Sequence, residues 1–186
     1  MSVAYSRHNF SVDEFNRMVE AGVFGEDDRL ELIEGEIIEM SPIGKRHAGF
    51  VRKLTKALEG VVGDRTIVSV QNPILAGDWS KPQPDIALLV PRADFYTTID
   101  PGPRHVQVAI EVADTSLEYD TTVKVPLYAR AGIREVWVID AKAREIHVFW
   151  SPRGGAYRRY LVFGKDDTFF SGRFPGVVFV VSALLP

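Results

Sequence analysis

The chain of 186 residues contains no cysteine. That excludes disulfides, zinc–thiolate centres and thiol nucleophiles together, and it fits a reducing compartment. An excess of one charge is also missing: 22 Lys and Arg stand against 25 Asp and Glu, for a net charge of −3 and a pI near 5.8. A protein that coats nucleic acid non-specifically would be basic overall, so any such binding must come from a local basic groove. Long hydrophobic runs are lacking. Nothing approaches the roughly 20 apolar residues of a membrane span. The start, Met1-Ser2-Val3-Ala4-Tyr5-Ser6-Arg7-His8, is polar and charged where a signal peptide would be apolar. A soluble, cytoplasmic protein with no membrane role is the expectation. There is no Walker P-loop, Rossmann glycine fingerprint or Gly-x-Ser-x-Gly elbow. Zinc fingers, helix-turn-helix signatures and aromatic-rich RNA motifs are equally absent.

What the chain has is a 46% hydrophobic composition, enough for one sizeable core, so residues 1–186 are expected to form a single domain. Ser11-Val12-Asp13-Glu14 is a capping-box pattern opening a short helix, with Val12, Phe15, Met18 and Val19 on one face and Gly22 as its stop. Leu30 to Met40, hinged at Glu34-Gly35, reads as a hairpin. Phe50, Val51, Leu54, Leu58, Val61 and Val62 recur at helical spacing in a second helix reaching about residue 62. Three β-like segments follow near 66–75, 84–90 and 105–112, and then a helix from Thr115 to Ala131, stopped by Gly132 and either kinked or broken at Pro126. Arg134 to Asp140 is a strand. Residues from Ile146 to Val162 suggest a hairpin turned at Gly154-Gly155, and Val177 to Val181 reads as a final buried strand. The fold class is therefore α/β (α+β). A mixed central sheet is flanked by helices, with an added N-terminal hairpin and a C-terminal β-meander.

The chemistry-bearing residues are a pair of acids at the ends of two apolar runs. Asp85 opens Pro84 to Val90 and Glu111 closes the apolar part of Val106 to Val112, with Lys124 on the next helix. If those strands are neighbours, two carboxylates meet at one sheet edge with an ammonium within reach. A bare buried charge is costly. A shared Mg²⁺ or Mn²⁺ would satisfy both acids and suits phosphodiester hydrolysis, with a lysine to orient water or neutralise charge on the phosphate.

Each residue also has a plainer reading. Asp85 could be a turn acid, Glu111 the salt-bridge partner of Lys124 or an arginine, and Lys124 a solvated helix charge. His47, early in the second helix, could touch metal or phosphate or be an exposed capping histidine. Glu31 alternates with Leu30 and Leu32, so it is either an outer metal ligand or hairpin surface. Asp114 and Asp120 suit the dipole of the third helix, and Asp120 could hold Lys124 four residues on. Lys45, Arg46, Arg52, Lys53 and Lys56 make the second helix locally basic, as a phosphate-tracking surface or a solvated face would be. Tyr128, Trp137 and Trp150 read as core.

At these residues the sequence resembles the Uma2 family of restriction-endonuclease-like proteins, within the PD-(D/E)XK nuclease superfamily. The resemblance runs over Glu31 to Pro42 with His47, and over Pro82-Gln83-Pro84-Asp85-Ile86. It continues through Ile110 to Ser116, Tyr119-Asp120, Lys124, and Leu127 to Asp140. It implies a restriction-endonuclease-like core and Mg²⁺- or Mn²⁺-dependent cleavage of DNA. Asp85 and Glu111 would hold the metal, with the Val112 carbonyl completing the site and Lys124 orienting water and stabilising the transition state. His47 and Glu31 would stand at the rim. A homodimer would bring two sites to one duplex. One position departs from the simple motif: Ala113 stands two residues after the acid, where the motif has lysine, so Lys124 must supply the ammonium from the following helix. Two further functions fit the same residues, an inactive relative serving interaction and a metal-dependent phosphodiesterase acting on RNA or small phosphodiesters.

Overall fold

A computed structural model describes residues 6–25 and 27–186. The first helix, α1 (Val12–Glu20), carries the full capping box. Ser11 Oγ accepts from the Glu14 amide at 3.2 Å, and the Glu14 carboxylate accepts from the Ser11 amide at 2.8 Å. Val12 and Phe15 are buried, with Leu32, in a small cluster. Val19, expected on that buried face, is 52% exposed; it stands in the last turn, one residue before the helix ends at Glu20. The hairpin pairs β1 (Leu30–Ile33) with β2 (Glu36–Glu39). Its turn residues Glu34 and Gly35 both have positive φ, 50° and 84°, the two-residue geometry that matches strand twist.

Six strands form the central sheet in the order β3-β4-β5-β6-β7-β8. These are β3 (Ile67–Val70), β4 (Ile86–Leu89), β5 (Val106–Ala113), β6 (Glu135–Asp140), β7 (Glu145–Arg153) and β8 (Ala156–Phe163). All neighbours are antiparallel except β5 and β6. The expected strand over 66–75 is shorter than its apolar stretch. After Val70 the chain leaves the sheet, with Gln71 at φ 52°.

A parallel pair needs a crossover, and the segment expected as one helix over Thr115–Ala131 supplies it in three pieces. These are α3 (Leu117–Tyr119), a π-helical turn (Asp120–Lys124) and α4 (Val125–Ala131). Pro126 sits in the first turn of α4. It lacks an N–H to bond back to the previous turn, and the amide of Val125 reaches five residues back, to the Asp120 carbonyl. The wider turn carries both Asp120 and Lys124 into the interior, at 5% and 3% exposure. Gly132 closes the run at φ 82°.

The two sheet faces are covered differently. On one, α2 (Lys45–Val62) lays Phe50, Leu54 and Leu58 over Ile86, Leu88, Ile110 and Trp137. That apolar face recurs every three to four residues, and each fully buried Leu or Phe contributes ~1.5–3 kcal/mol. On the other, Val125 and Tyr128 pack on Ala87, Ala109, Ala113 and Val138; the small alanines let the crossover lie close to the strands. The C-terminal expectation needs correcting. Val178–Val180 is a short strand, β10, paired with β9 (Thr168–Phe170) in a separate two-stranded sheet and followed by α5 (Val181–Leu184). Only Phe179 of the three turns inward, while Val178 and Val180 are 45% and 41% exposed, since a two-stranded ribbon covers the core with one face alone.

Candidate active site

Asp85 immediately precedes β4, and Glu111 lies within β5. Ile86 pairs with Ile110 in the antiparallel register, so Asp85 and Glu111 stand across from each other and their side chains share a face. Both are buried, at 8% and 4% exposure. Asp85 is fixed by three donors. The Val112 amide gives a hydrogen bond to Oδ2 at 2.8 Å, His47 Nε2 lies 2.7 Å from Oδ1, and Gln71 Nε2 approaches Oδ1 at 3.4 Å. His47 is thus neither exposed nor a cap: Gly44 holds the N-cap position of α2, and the histidine reaches across to β4. The hydrogen bond to Asp85 raises the imidazole pKa, and the Val112 backbone carbonyl adds to the shift against the opposing effect of burial.

Lys124 closes the site from the π turn. Its Nζ donates to Glu31 Oε1 at 2.5 Å and to Glu111 Oε1 at 3.2 Å. The same Glu111 oxygen accepts from the Tyr128 hydroxyl at 2.5 Å. Neither Lys124 nor Glu31 is a surface charge. Glu31, whose hairpin suggested a solvated face, is 1% exposed because segment 81–83 runs beside β1. Leu32 and Lys81 exchange backbone hydrogen bonds, and the Gln83 amide donates to Glu31 Oε1 at 2.6 Å. Tyr128, expected as core, is buried but polar in its role. Its signal was present in the chain: it stands one helical turn after Lys124 and therefore shares that residue's face. Gln71 and Gln83 carried no comparable pattern, since their roles depend on where β3 and the Pro82–Pro84 segment run.

The electrostatics are those of buried acids held toward their neutral form. Burial raises Glu111 to about 8, and Lys124 opposes the shift while Asp120, Asp85 and Glu31 reinforce it. Asp120 is raised to about 6 by burial, against the hydrogen bond from Ser116, which lies at 2.6 Å. Burial would depress the Lys124 ammonium, but Glu111 and Glu31 together hold its pKa above the ordinary value. Four carboxylates therefore meet one ammonium and one imidazole.

That imbalance is what a cation would relieve, and it bears on the Mg²⁺ or Mn²⁺ expected from sequence. Among the described residues no three His, Asp or Glu side chains converge as a ready-made metal cage. The donors that face one another are Asp85 and Glu111, with the Val112 carbonyl beside His47. The hydrogen bonds to Glu111 fall on Oε1, which leaves Oε2 as its available oxygen. Two carboxylates and a carbonyl are hard oxygen donors, and an ion that keeps several waters needs few protein ligands. The donor set fits such an ion.

The basic residues of α2 divide. Arg46 bonds the Ala141 carbonyl at 2.6 Å and pairs with Asp114 at 3.5 Å. Lys45, Arg52, Lys53 and Lys56 are exposed. Trp137 is core, as expected, and Trp150 packs partly buried against it. No helix among the described residues is long and apolar enough to cross a membrane.

A family model described as "Uma2: Putative restriction endonuclease" matches residues 12–182. No curated protein matches. Among solved structures, the chain is similar to "a putative nuclease belonging to DUF820" from Anabaena variabilis ATCC 29413. The TM-score is 0.74 at 19% identity, covering 94% of this chain and 97% of that one. At that identity the likeness shows a shared fold.

Proposed function

Because the chain belongs to the Uma2 family of restriction-endonuclease-like proteins, we propose that it is a Mg²⁺- or Mn²⁺-dependent endonuclease that hydrolyses DNA phosphodiester bonds at the Asp85–Glu111–Lys124 cluster. One observation carries the reading. Two carboxyl groups from adjacent strands and an ammonium from the crossover come together in the interior, with more acids than the protein's own cations pair.

Asp85 and Glu111 would hold the ion, with the Val112 carbonyl as a third oxygen. Bound there, the ion would polarise the scissile phosphate and lower the pKa of a water. The protein's own residues have separate tasks. The Val112 amide and His47 fix the rotation of the Asp85 carboxylate. Tyr128 pins Oε1 of Glu111 and so aims Oε2. Glu31 is a positioning residue: it holds the Lys124 ammonium beside Glu111. From there Lys124 presents a fixed positive charge to the charge growing on the phosphate and orients the attacking water. His47 brings the start of α2 to the cluster, and the exposed Lys45, Arg52, Lys53 and Lys56 of that helix offer contacts for the phosphates of a bound strand. Cutting both strands of a duplex calls for two copies of the site, which a homodimer would supply.

Purified protein with Mn²⁺ is expected to nick supercoiled DNA, with EDTA and Asp85→Ala each abolishing the activity. Undiminished nicking by Asp85→Ala, with the contaminant control clean, would eliminate the assignment. Cleavage of RNA but not DNA by the same cluster would transfer it to another phosphodiester.

A further inference from the structure

A second candidate site lies along a neighbouring face of α4. A cavity of about 650 Å³ opens between α4 and the segment before Asp85, with Trp79 and Asp78 on one side, Glu34 and Arg130 at the rim and Leu127 on the floor. Its volume falls in the range of small-molecule sites. Trp79 is 52% exposed, yet its segment is firmly held. The Trp79 carbonyl accepts from the Gly35 amide at 2.8 Å and the Asp78 carbonyl from the Val12 amide at 2.8 Å. Ser80 accepts from Ala76 and Glu34 at 2.9 Å each. A large indole fixed by its backbone and left uncovered is a stacking surface without a partner.

The rim narrows the ligand. Arg130 Nη2 pairs with Glu34 Oε1 at 2.7 Å, and Asp78 adds a second carboxylate. Two carboxylates against one guanidinium disfavour a phosphate or any other anion here, and beside the uncovered indole they favour a flat occupant that presents more donors than acceptors along one edge. A carboxylate accepts at both oxygens and a guanidinium only donates. Among the bases, guanine has two adjacent donors, N1–H and the N2 amino group, next to the acceptor O6. That edge is free only when the base is unpaired.

We propose that this cavity binds an unpaired guanine base. The Trp79 indole stacks on its face, Glu34 accepts from N1–H and the N2 amino group, and Arg130 donates to O6. The proposal rests on the nuclease reading only for the source of the base, a nucleotide of the bound strand. Ser80 lies five residues before Asp85 in an irregular segment, at most about 18 Å of chain, so the cavity is within a few nucleotides of the acid cluster. The enzyme would then prefer a guanine at a fixed offset from the cut, in a strand opened or single at that point.

The test needs neither metal nor cleavage. Guanosine, adenosine, cytidine and uridine are titrated into the full chain while tryptophan fluorescence is followed. Trp137 is fully buried, and Trp79→Phe identifies the responding indole. Guanosine is expected to quench saturably and at least tenfold more tightly than the others. Glu34→Gln should weaken it about tenfold, roughly 1.4 kcal/mol, and Trp79→Ala should abolish binding while circular dichroism and melting temperature stay unchanged. Equal affinity for all four nucleosides would overturn the proposal, as would guanosine binding untouched by both substitutions. A single-stranded oligonucleotide carrying one dG should bind as guanosine does. Binding of GMP but not of that oligonucleotide would overturn the strand as the source. Selective guanosine binding by a protein that cleaves nothing would remove the nuclease reading and leave this one in place.

Discussion

Glu111 gives the sharpest test of the buried cluster, through its proton. Burial and three neighbouring carboxylates hold it at about 8 against an ordinary 4.5, with Lys124 only partly compensating. In metal-free protein the folded state therefore binds a proton between those values that the unfolded state has released. Stability must then fall as pH rises through this window, the reverse of a salt-bridged surface acid. At 1.36 kcal/mol per unit, the loss between pH 5.5 and pH 8 is roughly 3 kcal/mol, large against the 5–15 kcal/mol that small domains typically possess. Asp120, raised to about 6, shifts stability in the same direction but has largely titrated by neutral pH. His47, raised by Asp85, contributes stability present at low pH and lost as pH rises through its folded value. Both effects are common to wild type and Glu111→Gln, so the difference between the two slopes isolates Glu111. The assay is urea unfolding in EDTA at a series of pH values. The wild-type midpoint is expected to fall by about 1–2 M more than that of Glu111→Gln, and the variant should be the more stable protein at pH 8. Parallel slopes, or wild-type stability that rises with pH over this range, would refute the reasoning.

Lys124→Met leaves Glu31 and Glu111 buried without their counter-charge and is expected to cost ~3–5 kcal/mol; adding Glu31→Gln should recover part of that in a double-mutant cycle read by denaturant unfolding, and strict additivity would show that the pair is not coupled. Ser11→Ala removes the hydroxyl that accepts from the Glu14 amide, while the backbone amide that donates to the Glu14 carboxylate remains; it should lower stability by about 1 kcal/mol, visible as a shift in melting temperature. Gly35→Ala would bring a Cβ to 2.6 Å from Asn9 Cβ at a φ of 84°, so a loss of more than ~1 kcal/mol is expected, and a neutral result would mean that the turn relaxes freely.

Much of the fold was legible because its signals are local. The capping box at Ser11, the Glu34-Gly35 turn and the helical spacing from Phe50 to Val62 each act through neighbours a few residues apart, and α1, the hairpin and α2 formed where those signals stood. The third helix was legible in extent but not in kind. Pro126 announced a disturbance, yet whether it produced a kink, a break or a π turn depended on what the opened turn could place against the sheet. Val178 and Val180 misled for a related reason: an apolar run states a preference for burial, and only the packing decides whether one face or both are covered.

The candidate site divides in the same way. By itself the sequence determined which residues were eligible: Asp85 and Glu111 at the ends of apolar runs, Lys124 on the following helix, and Ala113 where a lysine would be simplest. It determined them because hydrophobic periodicity fixes where strands lie, and a carboxylate at the end of such a run stands out. Only the tertiary structure decided their relations. The β4–β5 register set the two acids opposite each other, and the π turn carried Lys124 inward to within 3.2 Å of Glu111. The hairpin brought Glu31, 93 residues away in sequence, to the same ammonium. Contacts at that separation leave no periodic trace, because each depends on how independent elements pack and none on the residues between them.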